Sequence, residues 1–146
     1  MELNVNTFSK ANEGFSLLEL LIVLAITGII ASISYPSYRN YIIRAHRIDG
    51  QSALLDLACR METYFFKHNT WKTATIGTGN ITDVLSQSTS PDGWYTLSIT
   101  QSTDNAYTLQ ATPNQIIDTR CPSLTLTSSG IKGVTGPGIM NISQCW

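Results

Sequence analysis

Glu19 is the residue whose placement asks for chemistry. It is the only charged side chain in residues 15–35, an otherwise apolar run. A carboxylate inside a membrane helix costs about 3 kcal/mol on insertion scales, and more in hydrocarbon without a partner. Such a group wants a cation. No Lys or Arg lies between Phe15 and Pro36, so within one chain only a freed amino terminus would serve, and a neighbouring copy of the chain could supply one. The alternative is that Glu19 lies near the membrane edge and reaches water.

The cysteines are the second group able to form a bond. Cys59, Cys121 and Cys145 leave one odd thiol whichever pair forms. If Cys121 and Cys145 join, the closed loop of about 25 residues stabilises the fold by roughly 3 kcal/mol in the chain-entropy model. Cys59 falls on an expected helix, where a buried, inert thiol is the ordinary outcome. The two histidines, His46 and His68, are about 22 residues apart on one helix, roughly 30 Å, too far to share a metal. The sequence has no paired-histidine metal motif, no Cys-x-x-Cys, no Gly-x-Ser-x-Gly and no phosphate-binding glycine loop. Asn80-Ile81-Thr82 and Asn141-Ile142-Ser143 match a glycosylation acceptor only by a common three-residue pattern. Neither an enzymatic function nor a metal or cofactor is expected.

Positioning these residues falls to a helix and a sheet. The apolar run of residues 15–35 spans roughly 30 Å as a helix, enough to cross a bilayer. The polar stretch before it, residues 1–14, has no apolar core of its own and does not read as an ordinary secretory signal. Helical periodicity continues beyond the apolar run: Leu54, Ala58, Met61 and Phe65 form a stripe flanked by Leu55 and Leu57. Asp49, Asp56, Arg60 and Lys67 fall on the opposite side, and Asp56 and Arg60 are spaced to pair. One helix of some 50 residues is predicted, interrupted at Pro36 and Gly50 and loosened at Gly28.

After residue 69 the composition turns to Thr, Gly, Ser and Asn, a loop over residues 69–92. Alternating runs at residues 94–99, 107–111 and 124–127 then predict antiparallel strands with one dry face, covered by the stripe of the helix. The tail, residues 132–146, has little propensity for either regular element and needs holding down, which a bridge from Cys145 back to Cys121 would do. With 146 residues and 42% apolar content the chain suits one domain of α+β class.

Gly14-Phe15-Ser16-Leu17-Leu18-Glu19, followed by the unbroken apolar run, resembles the processing site of type IV prepilins. Pro36, Tyr38 and Tyr41 match residues common just beyond it in that family. At the other end Cys121-x-x-Leu124-Thr125-Leu126, Gly130-x-Lys132 and the terminal Cys145-Trp146 resemble PilE-type minor pilins. The resemblance implies a leader, residues 1–14, removed by a prepilin peptidase between Gly14 and Phe15, N-methylation of Phe15, and a role for Glu19 in assembly. It implies the type IV pilin fold: a membrane and filament-core half of the helix over residues 15–35, kinked at Gly28 and Pro36, and an amphipathic half over residues 36–68. The loop at residues 69–92 and a sheet with a disulfide-closed end at residues 93–146 complete it. The implied partners are other pilin subunits, the peptidase, an inner-membrane assembly platform and, before assembly, membrane lipid. The carboxyl side would be periplasmic, then at the cell surface in the pilus, where such filaments serve adhesion, twitching motility or DNA uptake. Two features depart from the pattern. The leader carries Glu2 and Glu13 against Lys10 alone, and Arg39, Arg44 and Arg47 follow the apolar run, which by charge counting puts the carboxyl side in the cytoplasm.

The leading reading is therefore a pilus subunit, most simply a minor pilin. The alternatives are a DNA-binding competence pilin and a pseudopilin of type II secretion. DNA capture needs a basic patch, for which Lys67, Lys72 and Lys132 with Trp71 for stacking are the candidates. Residues 40–146 hold seven Lys/Arg against seven Asp/Glu.

Overall fold

The computed structural model describes residues 14–115, 118–137 and 141–146, so of the expected leader only Gly14 lies within the described residues. Helix α1 covers Leu17–His68. Strands β1 (Thr75–Ile76) and β2 (Asp83–Leu85) pair in parallel. Strands β3 (Tyr95–Ser102), β4 (Tyr107–Pro113), β5 (Ser123–Thr127) and β6 (Lys132–Thr135) follow, and the short helix α2 (Ile142–Cys145) ends the chain. The chain divides into two compact units, residues 1–39 and residues 40–146.

In the first unit α1 is exposed throughout, and its apolar side chains meet no other part of the unit. The helix runs unbroken through Gly28 and Pro36. Where hydroxyls occur they bond within the helix: Thr27 Oγ1 donates to the carbonyl of Val23 at 2.7 Å and Ser32 Oγ to that of Ile29 at 2.7 Å. Such back-bonding keeps a helix free of unsatisfied polar groups in an apolar medium.

The second unit is helix on sheet. Four antiparallel strands lie in the order β3-β4-β5-β6, and period-2 alternation sends Tyr95, Leu97, Leu109, Ala111, Leu124 and Leu126 to one face. Register stacks them, with Leu97 opposite Ala111, Leu109 opposite Leu126 and Ala111 opposite Leu124. Against that face α1 lays Ala53, Leu54, Leu57, Met61 and Tyr64, at the alternating three- and four-residue spacing of one helix side. Leu54, Leu57 and Met61 are fully buried, each worth about 1.5–3 kcal/mol relative to exposure.

Several expectations need correction here. The buried stripe is centred on Leu57 and Tyr64, while Leu55 is 52% exposed. Gly50 does not interrupt the helix: it is buried within α1, and a Cβ built on it would stand 2.9–3.0 Å from three ring carbons of Tyr95. Its missing side chain is the space the ring occupies. Asp49, expected on the wet side, is 6% exposed, its carboxylate accepting from Ser90 Oγ at 2.5 Å and from the Asp92 N–H at 3.2 Å. Cys59 is exposed, not buried. The loop after α1 carries the β1–β2 ribbon, and the tail contains β6 and α2, whose register with β5 and cap by Asn141 are long-range or single-residue effects that local composition does not announce.

Candidate functional site

The amino-terminal end of α1 follows from the residues upstream of it. Gly14, Phe15 and Ser16 precede the helix, whose first turn closes with the Leu20 N–H on the Ser16 carbonyl at 3.2 Å. Glu19 lies in that first turn, where the partial positive charge of the helix terminus favours a carboxylate. Among the described residues the ion pairs are Arg47–Asp118 and Arg60–Asp56, so no described cation is within reach of Glu19. Downstream the apolar side chains from Leu17 to Ile33 all stand exposed. Gly28 has nothing within 4 Å of where a Cβ would project.

A second exposed apolar feature belongs to the other unit. Tyr41, Ile48, Leu55, Cys59 and Phe66 are separated by seven, seven, four and seven residues, and all are exposed. At 100° per residue they share the side of α1 opposite Leu57 and Met61. Phe66, 95% exposed, is the extreme case. Large apolar residues lined up on a soluble-facing helix side mark a surface that another molecule covers.

The carboxyl-terminal end is built around the disulfide between Cys121 and Cys145, both buried. Asp118 organises one flank: its Oδ1 accepts from the N–H groups of Arg120 at 3.1 Å and Cys121 at 3.3 Å. Its Oδ2 receives the Arg47 guanidinium, with Nε at 3.0 Å and Nη2 closer. Arg47 Nη1 donates to the Gln144 carbonyl, and one helical turn on, Gln51 Nε2 donates to the Cys145 carbonyl at 2.7 Å. Beyond the bridge, Trp146 Nε1 donates to the Gly133 carbonyl at 2.9 Å, and Lys132 Nζ lies 5.0 Å from the indole centroid.

Of the four residues considered for nucleic-acid contact, Lys67, Trp71 and Lys72 lie within one short segment at the end of α1 and just beyond it, and Lys132 lies apart from them on β6. Trp71 is half-buried, donating from Nε1 to the Met61 carbonyl at 3.0 Å, stacked on Phe65 at 4.3 Å and edge-on to Tyr107 at 5.2 Å. Its ring is used inside the protein. Its carbonyl accepts from Ser102 Oγ on β3, the strand at one edge of the sheet, whereas Lys132 is on β6 at the other edge. Three inter-strand steps, roughly 14 Å, lie between. Tyr107 donates to Glu62 Oε1 at 2.9 Å, and burial first, then that hydrogen bond, raises its phenol above the ordinary value. His46 stacks on Trp94 at 3.6 Å between centroids and His68 on Tyr64 at 4.2 Å. Sequence reasoning missed Arg47, Gln51, Asp49 and Asp118. The readable signals were Arg47 and Gln51 one turn apart, and Asp118 three residues before Cys121, the spacing at which an aspartate bonds backbone N–H groups ahead of it.

Comparison with known proteins adds the following. Residues 36–125 match the family described as the type IV minor pilin ComP, DNA uptake sequence receptor, and residues 9–35 match the prokaryotic N-terminal methylation motif. A fimbrial protein of Neisseria meningitidis is 32% identical over 82 residues, 55% of this chain and 46% of the relative. A fimbrial protein of Pseudomonas aeruginosa is 30% identical over 110 residues, 73% of this chain and 63% of the relative. The chain thus spans about half the length of the first of these relatives. The crystal structure of the Neisseria meningitidis non-core minor pilin PilV superposes with a TM-score of 0.51 at 21% identity, covering 68% of this chain and 93% of that one, a likeness of fold.

Proposed function

The chain belongs to the type IV pilins, in the family of the minor pilin ComP, and on that premise we propose that it is a minor subunit of a type IV pilus, matured by cleavage between Gly14 and Phe15 and assembled through Glu19. The observation that carries this is the pairing of an uncovered apolar helix with a carboxylate in its first turn that has no described cation. A prepilin peptidase would free the amine of Phe15, and methylation would retain its charge. In the assembled filament that amine and Glu19 of a neighbouring subunit would neutralise each other, removing the cost of a lone carboxylate in apolar surroundings. Before assembly the apolar half of α1 would sit in the inner membrane with the sheet on the periplasmic side, delivered to the filament by an inner-membrane platform.

Gly28, Ala25, Ala31 and Ser32 would let neighbouring helices approach closely. Pro36, which offers no N–H to the helix, and Gly28 would let the intervening segment loosen on assembly. The stripe of Tyr41, Ile48, Leu55 and Phe66 would be covered by other subunits. The matches to fimbrial proteins and minor pilins favour a pilus over a secretion pseudopilin.

Replacing Glu19 with Ala tests the reading. Leader removal should continue, seen as a mature mass beginning at methylated Phe15, while the amount of the protein in sheared pili falls. Unchanged incorporation would sink the assignment of Glu19, and a chain that retains residue 1 in cells would sink the processing step.

A second reading has one observation behind it, the DNA uptake receptor in the description of the matching family. If this chain captures DNA, the strand would have to span the sheet to reach both Lys132 on β6 and the Lys67–Lys72 segment, with one face of Trp71 already stacked on Phe65. Gel-shift titration of the full chain in detergent at low salt, with no retarded species at any concentration, would dispose of that reading.

A further inference from the structure

Three thiols allow three pairings, and the surroundings of two of them bear on which one forms. Cys59 lies 62 residues before Cys121 and 86 before Cys145, against the 24 that separate Cys121 from Cys145. Loop-closure probability falling as the 3/2 power of loop length favours the shortest loop by about 4-fold over the first alternative and about 7-fold over the second. Chain statistics alone would leave roughly a quarter of the molecules with Cys59 in a bridge.

The folded unit supplies what chain statistics lack. Arg47 reaches Asp118, which holds the N–H groups of Arg120 and Cys121, and Arg47 also reaches the Gln144 carbonyl. Gln51 holds the Cys145 carbonyl. One side of one helix thereby fixes residues on both flanks of the bridge, and none of these contacts uses a sulfur atom. The Arg47–Asp118 pair is nearly enclosed, with 13% and 9% of the side chains exposed, where charge-assisted hydrogen bonds are strong. Cys59 sits about three turns further along α1, exposed, on the side turned away from the sheet.

We infer that Arg47 and Gln51 are positioning residues for oxidation: they assemble the Cys121 and Cys145 flanks before the bond exists, and so select that pair against Cys59. The oxidant is a disulfide, small or carried by a protein. The thiolate of one of the two cysteines attacks it, forming a mixed disulfide and expelling a thiolate. The second cysteine gives up its proton and displaces the remaining half, so two thiols become one disulfide and the oxidant becomes two thiols. This role is independent of what the filament does.

The test uses the full chain in detergent micelles, reduced and then oxidised in a glutathione disulfide buffer, with pairings counted by peptide mass mapping without reduction. Nearly all wild-type chains should carry Cys121–Cys145 with Cys59 free. Arg47→Met combined with Gln51→Leu should shift the distribution toward that of wild type oxidised in concentrated urea, several-fold richer in Cys59 bridges. The same double variant with Cys59→Ser should still close its one remaining pair and keep the near-ultraviolet circular dichroism of the folded unit, separating lost selection from lost folding. Unchanged pairing in the double variant would overturn the inference. Should that variant not fold, amide exchange on the reduced wild type decides: the Arg120 and Cys121 amides should stay protected with both thiols free, and exchange at unfolded-chain rates would show that the bridge makes the clamp and not the reverse.

Discussion

Gly50→Ala sets two effects of opposite sign against each other at one buried site. In an exposed helix interior this change gains about 1 kcal/mol, because alanine loses less backbone freedom than glycine on folding. Here the new methyl would stand 2.9 Å from one ring carbon of Tyr95 and 3.0 Å from two others. The ring is 2% exposed and belongs to the core that β3 shares with α1, so it has no open space into which to swing. Overpacking of this kind costs about 1–3 kcal/mol. The clash should win, leaving the variant about 1 kcal/mol less stable and lowering the melting midpoint by about 4 °C for a unit of this size. Thermal melts of the full chain in micelles, followed by tryptophan fluorescence, measure the shift. Trimming the opposing ring with Tyr95→Leu should make the glycine change favourable, a coupling of more than about 0.5 kcal/mol between the two sites. A Gly50→Ala protein as stable as wild type, or coupling near zero, would refute the account of why glycine stands there.

Two further outcomes follow from buried polar groups. Asp49→Ala should cost about 1–3 kcal/mol, since the Ser90 hydroxyl and the Asp92 N–H lose their buried acceptor; faster amide exchange at Tyr95, whose N–H bonds Ser90 Oγ, would report it, and unaltered exchange would contradict it. The alkaline limb is set by two phenols: Tyr95 is pushed up to about 12, first by burial and then by the nearby Asp118 carboxylate, and Tyr107 is also raised. A folded-state value above the unfolded one near 10 gives stability that is whole below pH 10 and lost as pH rises through the folded value. Urea midpoints should therefore fall between about pH 10 and 12, with a shallower fall in Tyr107→Phe, and a flat profile would disprove the assignment.

The parts of this protein governed by local periodicity were legible in the sequence. The apolar run with Glu19 in it, the long helix, three strands of the sheet and the Cys121–Cys145 pair all follow from spacing, alternation or motif. The phase of the second half of α1 was harder, because apolar residues at positions 54, 55, 57, 58 and 61 spread over about 160° of the helix circumference, and only the sheet decides that Leu57 turns in and Leu55 turns out. Asp49 looked like a surface charge because the groups that donate to it, on Ser90 and Asp92, are some 40 residues away in a loop. Strand β6, Lys132-Gly133-Val134-Thr135, has a weak local preference for extended structure and exists because β5 offers it a register. Arg47 and Asp118 find each other only when the helix and the β4–β5 connection are both in place.

The indole of Trp146 on the Gly133 carbonyl has a consequence for how copies of this chain can join. Antiparallel sheets with open edges invite strand addition, the route to aggregation and amyloid. Here one edge is stoppered at β6 by the Trp146 N–H, with the Lys132 charge beside it. The other edge, at β3, has its Leu97 N–H on the Ser88 carbonyl and its Tyr95 carbonyl on the Ser90 N–H. Part of the backbone that a stray strand would need is thus already engaged at each margin. Removing Trp146 would free the Gly133 carbonyl and leave the β6 edge open to unwanted strand addition.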